Sequence, residues 1–278
     1  MHILFENGGG ADAGAPAPRF EADYPSWPVP GITPTPWYFG SGGALVGAAP
    51  KTDAADSYKY DPSHQHDTTI ADSSQSATWV KLPDFVWKPP AAGTALSYET
   101  TPLVNDVTVI GNASVDLWLK SSAPDADIQI TITEVRPDGK EFFVQNGWLR
   151  ASDRALSPDA TELRPTHPLT QDAAKMLPAG KFSLARVEVF PFAHVFRAGS
   201  RIRVIIDAPG GSRPAWSFND LSARAGQVNT VGRGGAYASR IMLPVVSGVD
   251  VAPGLPACPS LRGQPCRAAA AITNSPGS

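Results

Sequence analysis

Two stretches of this chain alternate apolar and polar residues with a period of two. They are Ala113-Ser114-Val115-Asp116-Leu117-Trp118-Leu119-Lys120 and Asp127-Ile128-Gln129-Ile130-Thr131-Ile132-Thr133-Glu134-Val135. Strict alternation places every second side chain on one face, the pattern of a half-buried strand; an amphipathic helix would repeat at three and four. The same rhythm returns in Ser183–Phe190, and Arg201–Ala208 and Tyr237–Val245 read as further strands. Pro137-Asp138-Gly139 presets a turn, and Glu141-Phe142-Phe143-Val144 returns from it as a hairpin. The 28 Pro and 25 Gly fall between these runs and punctuate them as turns. Six to eight such strands with no long helical period predict an all-β chain, an antiparallel jelly-roll β-sandwich from about residue 77 to 245.

The rest of the chain reads less regularly. His2-Ile3-Leu4-Phe5 is a short strand running into Gly8-Gly9-Gly10. Residues 11–50 mix Ala, Pro and Gly with Phe20, Tyr24, Trp27, Trp37, Tyr38 and Phe39, which suggests an irregular segment packed along a surface. Residues 51–76 read as polar loop. The expected organisation is a linker or remnant over 1–50, the sandwich over 51–245, and a tail over 246–278.

With a net charge of −3 and no Lys/Arg run, the footprint of a nucleic-acid binder is missing. No apolar run approaches the roughly 18 residues of a membrane span. The N-terminal residues carry no basic leader of the signal-peptide kind.

Several residues invite a functional reading. Cys258 and Cys266 enclose a loop with two prolines and a glycine; a disulfide there would fix the tail, and two free thiols are the alternative. His64, His66 and Asp67 resemble a partial metal set but sit in a polar loop, where solvated side chains are the simpler account. Asp125 and Asp127 suit a turn before a strand as well as a calcium ligand pair. Ser41 and Ser212 lie in Gly-containing loops and read as turn serines. His194, in Phe192-Ala193-His194-Val195-Phe196, reads as a packed, hydrogen-bonded histidine at a domain face. Trp118 and Trp148 lie within strand alternation and are expected in the core, whereas Trp87 is the tryptophan expected to be exposed. No metal or cofactor is expected.

Taken in order, several segments resemble one family. They are Asp116-Leu117-Trp118-Leu119, Ser121–Asp127, Glu134-Val135-Arg136-Pro137-Asp138-Gly139, Gly147-Trp148-Leu149-Arg150-Ala151 and Val189–Arg203. The series resembles the C-terminal domain of the X-Pro dipeptidyl-peptidase / cocaine-esterase (CocE/NonD) family of serine hydrolases, over roughly residues 95–245. Trp37-Tyr38-Phe39 with Gly42-Gly43-Ala44-Leu45 is similar to that family's link into the domain. The resemblance implies a galactose-binding-like jelly roll packed on an α/β-hydrolase domain of the same parent protein. It also implies hydrolysis of esters or amides, including peptides with proline next to the N-terminal residue.

The family's nucleophile sits on a Gly-x-Ser-x-Gly elbow. No such pentapeptide occurs in these 278 residues; Phe39 replaces the first glycine before Ser41, and Pro214 follows Arg213 after Ser212. The resemblance therefore implies no catalytic residue here, with nucleophile, acid and base on sequence upstream. Trp87, Phe192, His194 and Phe196 are the residues expected to form a wall of the substrate cleft. An exported parent is expected. Two other readings stay open: a stand-alone carbohydrate- or peptide-binding module, and a structural domain that forms homo-oligomer contacts.

Overall fold

The computed structural model describes residues 1–6, 17–61, 87–209, 226–258 and 265–277. His64, His66, Asp67, Trp79, Ser212 and Trp216 lie outside the described residues. Two antiparallel sheets form a sandwich, and among the described residues there is no α-helix, only short 3-10 turns such as Ser41–Gly43 and Ala151–Asp153.

The strands are β1 (His2–Phe5), β2 (Phe20–Asp23), β3 (Thr33–Phe39), β4 (Leu45–Val46), β5 (Ala55–Lys59), β6 (Leu96–Glu99), β7 (Val107–Ser121), β8 (Asp127–Val135), β9 (Lys140–Arg150), β10 (Ser183–Phe196), β11 (Arg201–Asp207), β12 (Val228–Gly234), β13 (Tyr237–Ala238), β14 (Arg240–Val245), β15 (Cys266–Ala268) and β16 (Ser275–Pro276). The larger sheet runs β16-β5-β12-β7-β14-β3-β4, with β10 along the other side of β7 and β13 on β12. The smaller sheet runs β15-β9-β8-β11-β6. A separate hairpin pairs β1 with β2.

Parity decides what faces the core. Val115, Leu117 and Leu119 of β7, Ile128, Ile130 and Ile132 of β8, and Ile202, Val204 and Ile206 of β11 are buried between the sheets. Each such side chain contributes about 1.5–3 kcal/mol on leaving water. Trp118 and Trp148, expected inside, take the opposite parity from Leu117, Leu119 and Leu149. They stand on outward faces, Trp118 against Tyr237 and Trp148 against Phe190.

Residues 33–46, read from the sequence as connecting segment, supply β3 and β4 to the larger sheet. Pro34 and Pro36 hide this strand, because proline cannot donate to a ladder. They pair opposite Pro244 and Met242 of β14, whereas β4 meets β3 only at Tyr38 and Phe39. Both prolines thus lie where β3 has no second neighbour in the sheet. The C-terminal segment likewise adds β15 and β16 to the two sheets.

The sheets approach closely where β9 crosses β10. A Cβ at Gly147 would overlap the Glu188 carbonyl. Glycine is required there by contact between backbones.

Candidate functional site

The apolar patch at 192–196 is the far end of β10, beyond an irregularity between Val189 and Phe192 that resets the strand's register on β7. Phe196 then faces the inter-sheet core, with Phe192 partly buried against it. Ala193 and Val195 face the other way, into a second cluster with Ile3, Phe5 and Val29, against which Phe20 packs. Phe5 and Phe20 stack at 4.5 Å between ring centroids. The end of β10 is therefore covered on both faces, by the sandwich and by the β1–β2 hairpin.

His194 is 4% exposed and Phe196 0%. The His194 ring stacks on Phe142 and meets the edge of Phe196. Its Nε2 lies 2.9 Å from Glu134 Oε2, and the Arg197 amide donates to Glu134 Oε1 at 3.0 Å. Burial pushes the Glu134 carboxyl up. The hydrogen bond and charge of His194, with the Arg197 amide and Ser200, outweigh it and hold the group below the usual carboxylate range.

The Arg197 side chain turns to the hairpin and binds Glu6, with Nη2 2.6 and 2.8 Å from the two carboxylate oxygens. Arg197 Nη1 also donates to the Ala252 carbonyl, and Arg19 adds a second, more distant cation at 3.8 Å from Glu6. Burial raises the Glu6 carboxyl despite the opposing charges of His194, Arg197 and Arg19. This network is structural in character: it ties β8, β10, the hairpin and the tail together, with Glu134, His194, Arg197 and Glu6 buried and Arg19 at its partly exposed edge.

Trp87 lies on the outer face of the smaller sheet. Its ring meets Phe143 edge-on, and the Arg267 guanidinium sits 3.6 Å above its centroid. Arg267 belongs to a ladder of alternating charge across that face. Its Nε donates to Glu141 at 2.8 Å, Arg203 lies 3.2 Å from Glu141, and Arg203 pairs with Glu99 at 2.8 Å. Trp87 is thus partly exposed and held by a stacked cation.

The other candidates have local roles. Cys258 and Cys266 form a disulfide with Cα atoms 5.5 Å apart, joining the tail to β15. Asp125 accepts from the Ala126 and Ser152 amides, the turn arrangement, and Asp127 takes a two-point contact from Arg150. Ser41 opens the 3-10 turn before β4, with its carbonyl accepting from Ala44. Among the described residues no three His, Cys, Asp or Glu side chains converge as a metal site. Nor is any helix among them long and apolar enough to cross a membrane.

The class that this fold defines is an antiparallel β-sandwich domain, its one β10 histidine spent on a buried carboxylate. The family comparison agrees: the model of the X-Pro dipeptidyl-peptidase C-terminal non-catalytic domain matches residues 3–241, and the chain belongs to that family. It is 26% identical over 255 residues to the cocaine esterase of Rhodococcus sp. (strain MB1 Bresler), covering 81% of this chain and 39% of that protein. The fold is similar to that of a CocE/NonD family hydrolase from Staphylococcus aureus, with a TM-score of 0.62 at 19% identity, over 82% of this chain and 39% of that one. It is similar also to an aminopeptidase from a marine-sediment Thaumarchaeota archaeon, with a TM-score of 0.61 at 20% identity and the same coverage. The chain spans about two fifths of the length of the curated relatives it matches.

Proposed function

We propose that this domain forms one wall of the substrate cleft of a serine acyl or peptide hydrolase, packed against an α/β-hydrolase domain of the same protein. The observation that carries the reading is a pair of exposed apolar side chains on a rigid mount. Leu4 and Trp27 are 41% and 44% exposed, at and beside a hairpin fixed to the sandwich by the buried Glu6–Arg197 pair. Exposed apolar surface of this kind marks contact sites, and a mount this well tied can hold a cleft wall in place.

Of the four residues read from the sequence as cleft wall, Trp87 and Phe192 keep surface to offer. His194 and Phe196 act from beneath, holding the end of β10. Esters and peptides with proline after the first residue are the substrate classes that the family suggests. The Cys258–Cys266 disulfide supports an exported parent.

The test uses the longer protein that carries both domains. Leu4→Glu with Trp27→Ala should loosen the docking, so that limited proteolysis separates the domains and KM rises more than kcat falls. Unchanged proteolysis and kinetics would contradict the reading.

A further inference from the structure

A cavity of about 520 Å³ opens where β9 and β10 meet, away from the hairpin. It follows from the parity described above. Leu149, Val187 and Val189 turn into the core, so Trp148 and Arg150 of β9 and Glu188 and Phe190 of β10 turn out on the other side. Trp148 and Phe190 form its aromatic floor, with ring centroids 5.5 Å apart. Asp153, Thr166, His167 and Leu169 of the segment after β9 complete its lining, and the His167 ring is fixed there with its two nitrogens each 2.9 Å from a carbonyl oxygen, of Ala155 and of Arg186.

Three features of this cavity are unexplained by the packing of the domain. Phe190 stays 42% exposed. Leu169, at the lip, is 71% exposed and held at φ 52°. A left-handed backbone at a residue with a Cβ costs about 1–2 kcal/mol, and an outward-turned leucine recovers none of it within the domain. The third feature is charge. Arg150 is matched by Asp127, at 2.7 and 3.0 Å. Asp153 also acts on Arg150, Asn112 donates to Glu188 at 2.8 Å, and Arg164 lies 3.9 Å from Glu188 at 60% exposure, so the three carboxylates Asp127, Asp153 and Glu188 face two guanidiniums.

We propose that this cavity binds an organic cation carrying an aromatic or branched alkyl group. The size lies within the range of small-molecule sites. The apolar part would lie on Trp148 and Phe190 under Leu169, and the cationic end would meet the ring faces and the two carboxylates. Charge complementarity separates this ligand class from a neutral sugar, which would use the same aromatic floor without the carboxylates.

Isothermal titration of the purified chain with benzyltrimethylammonium, beside neutral benzyl alcohol and methyl galactoside, tests the assignment. The cation should bind saturably, and about fivefold more tightly than either neutral probe. Phe190→Ala should weaken it about fivefold, and Asp153→Asn with Glu188→Gln should reduce it to the level of benzyl alcohol. All three substitutions lie at the surface or half-buried rim, and circular dichroism checks that the fold is kept. No saturable binding, equal binding of cation and alcohol, tighter binding of the sugar, or folded variants that bind like the parent would each overturn the assignment. The docking proposal does not enter this test, since the hairpin lies elsewhere and the catalytic domain is not needed.

Discussion

Arg197 closes on the Glu6 carboxylate across 191 positions of chain, with one guanidinium nitrogen 2.6 and 2.8 Å from its two oxygens. The Arg197 side chain is 7% exposed and that of Glu6 0%. Two charges so far from water are held by each other and by the Ala252 carbonyl. Removing Arg197 strips the buried Glu6 carboxylate of its only direct hydrogen-bonding cation and leaves Arg19 at 3.8 Å as the nearest one. Arg197→Ala should therefore cost about 3–5 kcal/mol in urea unfolding. It should also speed proteolysis at the hairpin. A loss below about 1 kcal/mol, the range of exposed pairs, would mean that the pair is open to water.

Glu134 makes a pH prediction. Its carboxyl is held below the usual range, so the unfolded chain binds that proton more tightly than the folded one. The stabilisation is complete above the ordinary carboxylate value and is lost as pH falls through the folded one. The groups facing it are His194, Arg197 and Ser200. Glu134→Gln should be less stable than the parent at pH 7, and the gap should close on acidification towards pH 3. Unfolding midpoints across that range measure it. A gap that widens with acid would reverse the sign and the account.

Gly147 tests the close approach of the two sheets. Alanine there would drive a methyl group into the Glu188 backbone, which has no flexible end to swing away. Gly147→Ala should cost about 1–3 kcal/mol or more. Gly139→Ala should be milder in comparison, because a Cβ there meets open space and only the positive φ is strained. Equal thermal shifts for the two variants would contradict the packing described.

The apolar residues that the alternation marks in β7 and β8 do turn into the inter-sheet core, but β8 is not the half-buried strand expected: Gln129, Thr131, Thr133 and Glu134 are buried on its other face as well. The same parity, carried one residue further, places Trp118 and Trp148 outside, where a bias towards burying tryptophan had put them in. β3 was harder to read because Pro34 and Pro36 argue against a strand until its one-sided pairing is known. The Phe192–Phe196 patch looked like surface because nothing local covers it. What covers it is the β1–β2 hairpin at the other end of the sequence, together with a register change at Val189. No periodicity encodes that contact. The pairing of His194 with Glu134, 60 residues apart, was equally out of reach, although a histidine among phenylalanines does signal a buried polar partner.

The chain matches a non-catalytic C-terminal domain, and by itself it should not carry out acyl transfer. The direct measurement is turnover of an activated aryl ester and of an X-Pro-anilide by the purified chain, beside its Ser41→Ala and Ser212→Ala variants. Without an activated nucleophile and an oxyanion hole, each worth orders of magnitude in rate, all three proteins should match the buffer blank. Turnover by the parent that disappears in either variant would show a nucleophile on this chain and contradict the account.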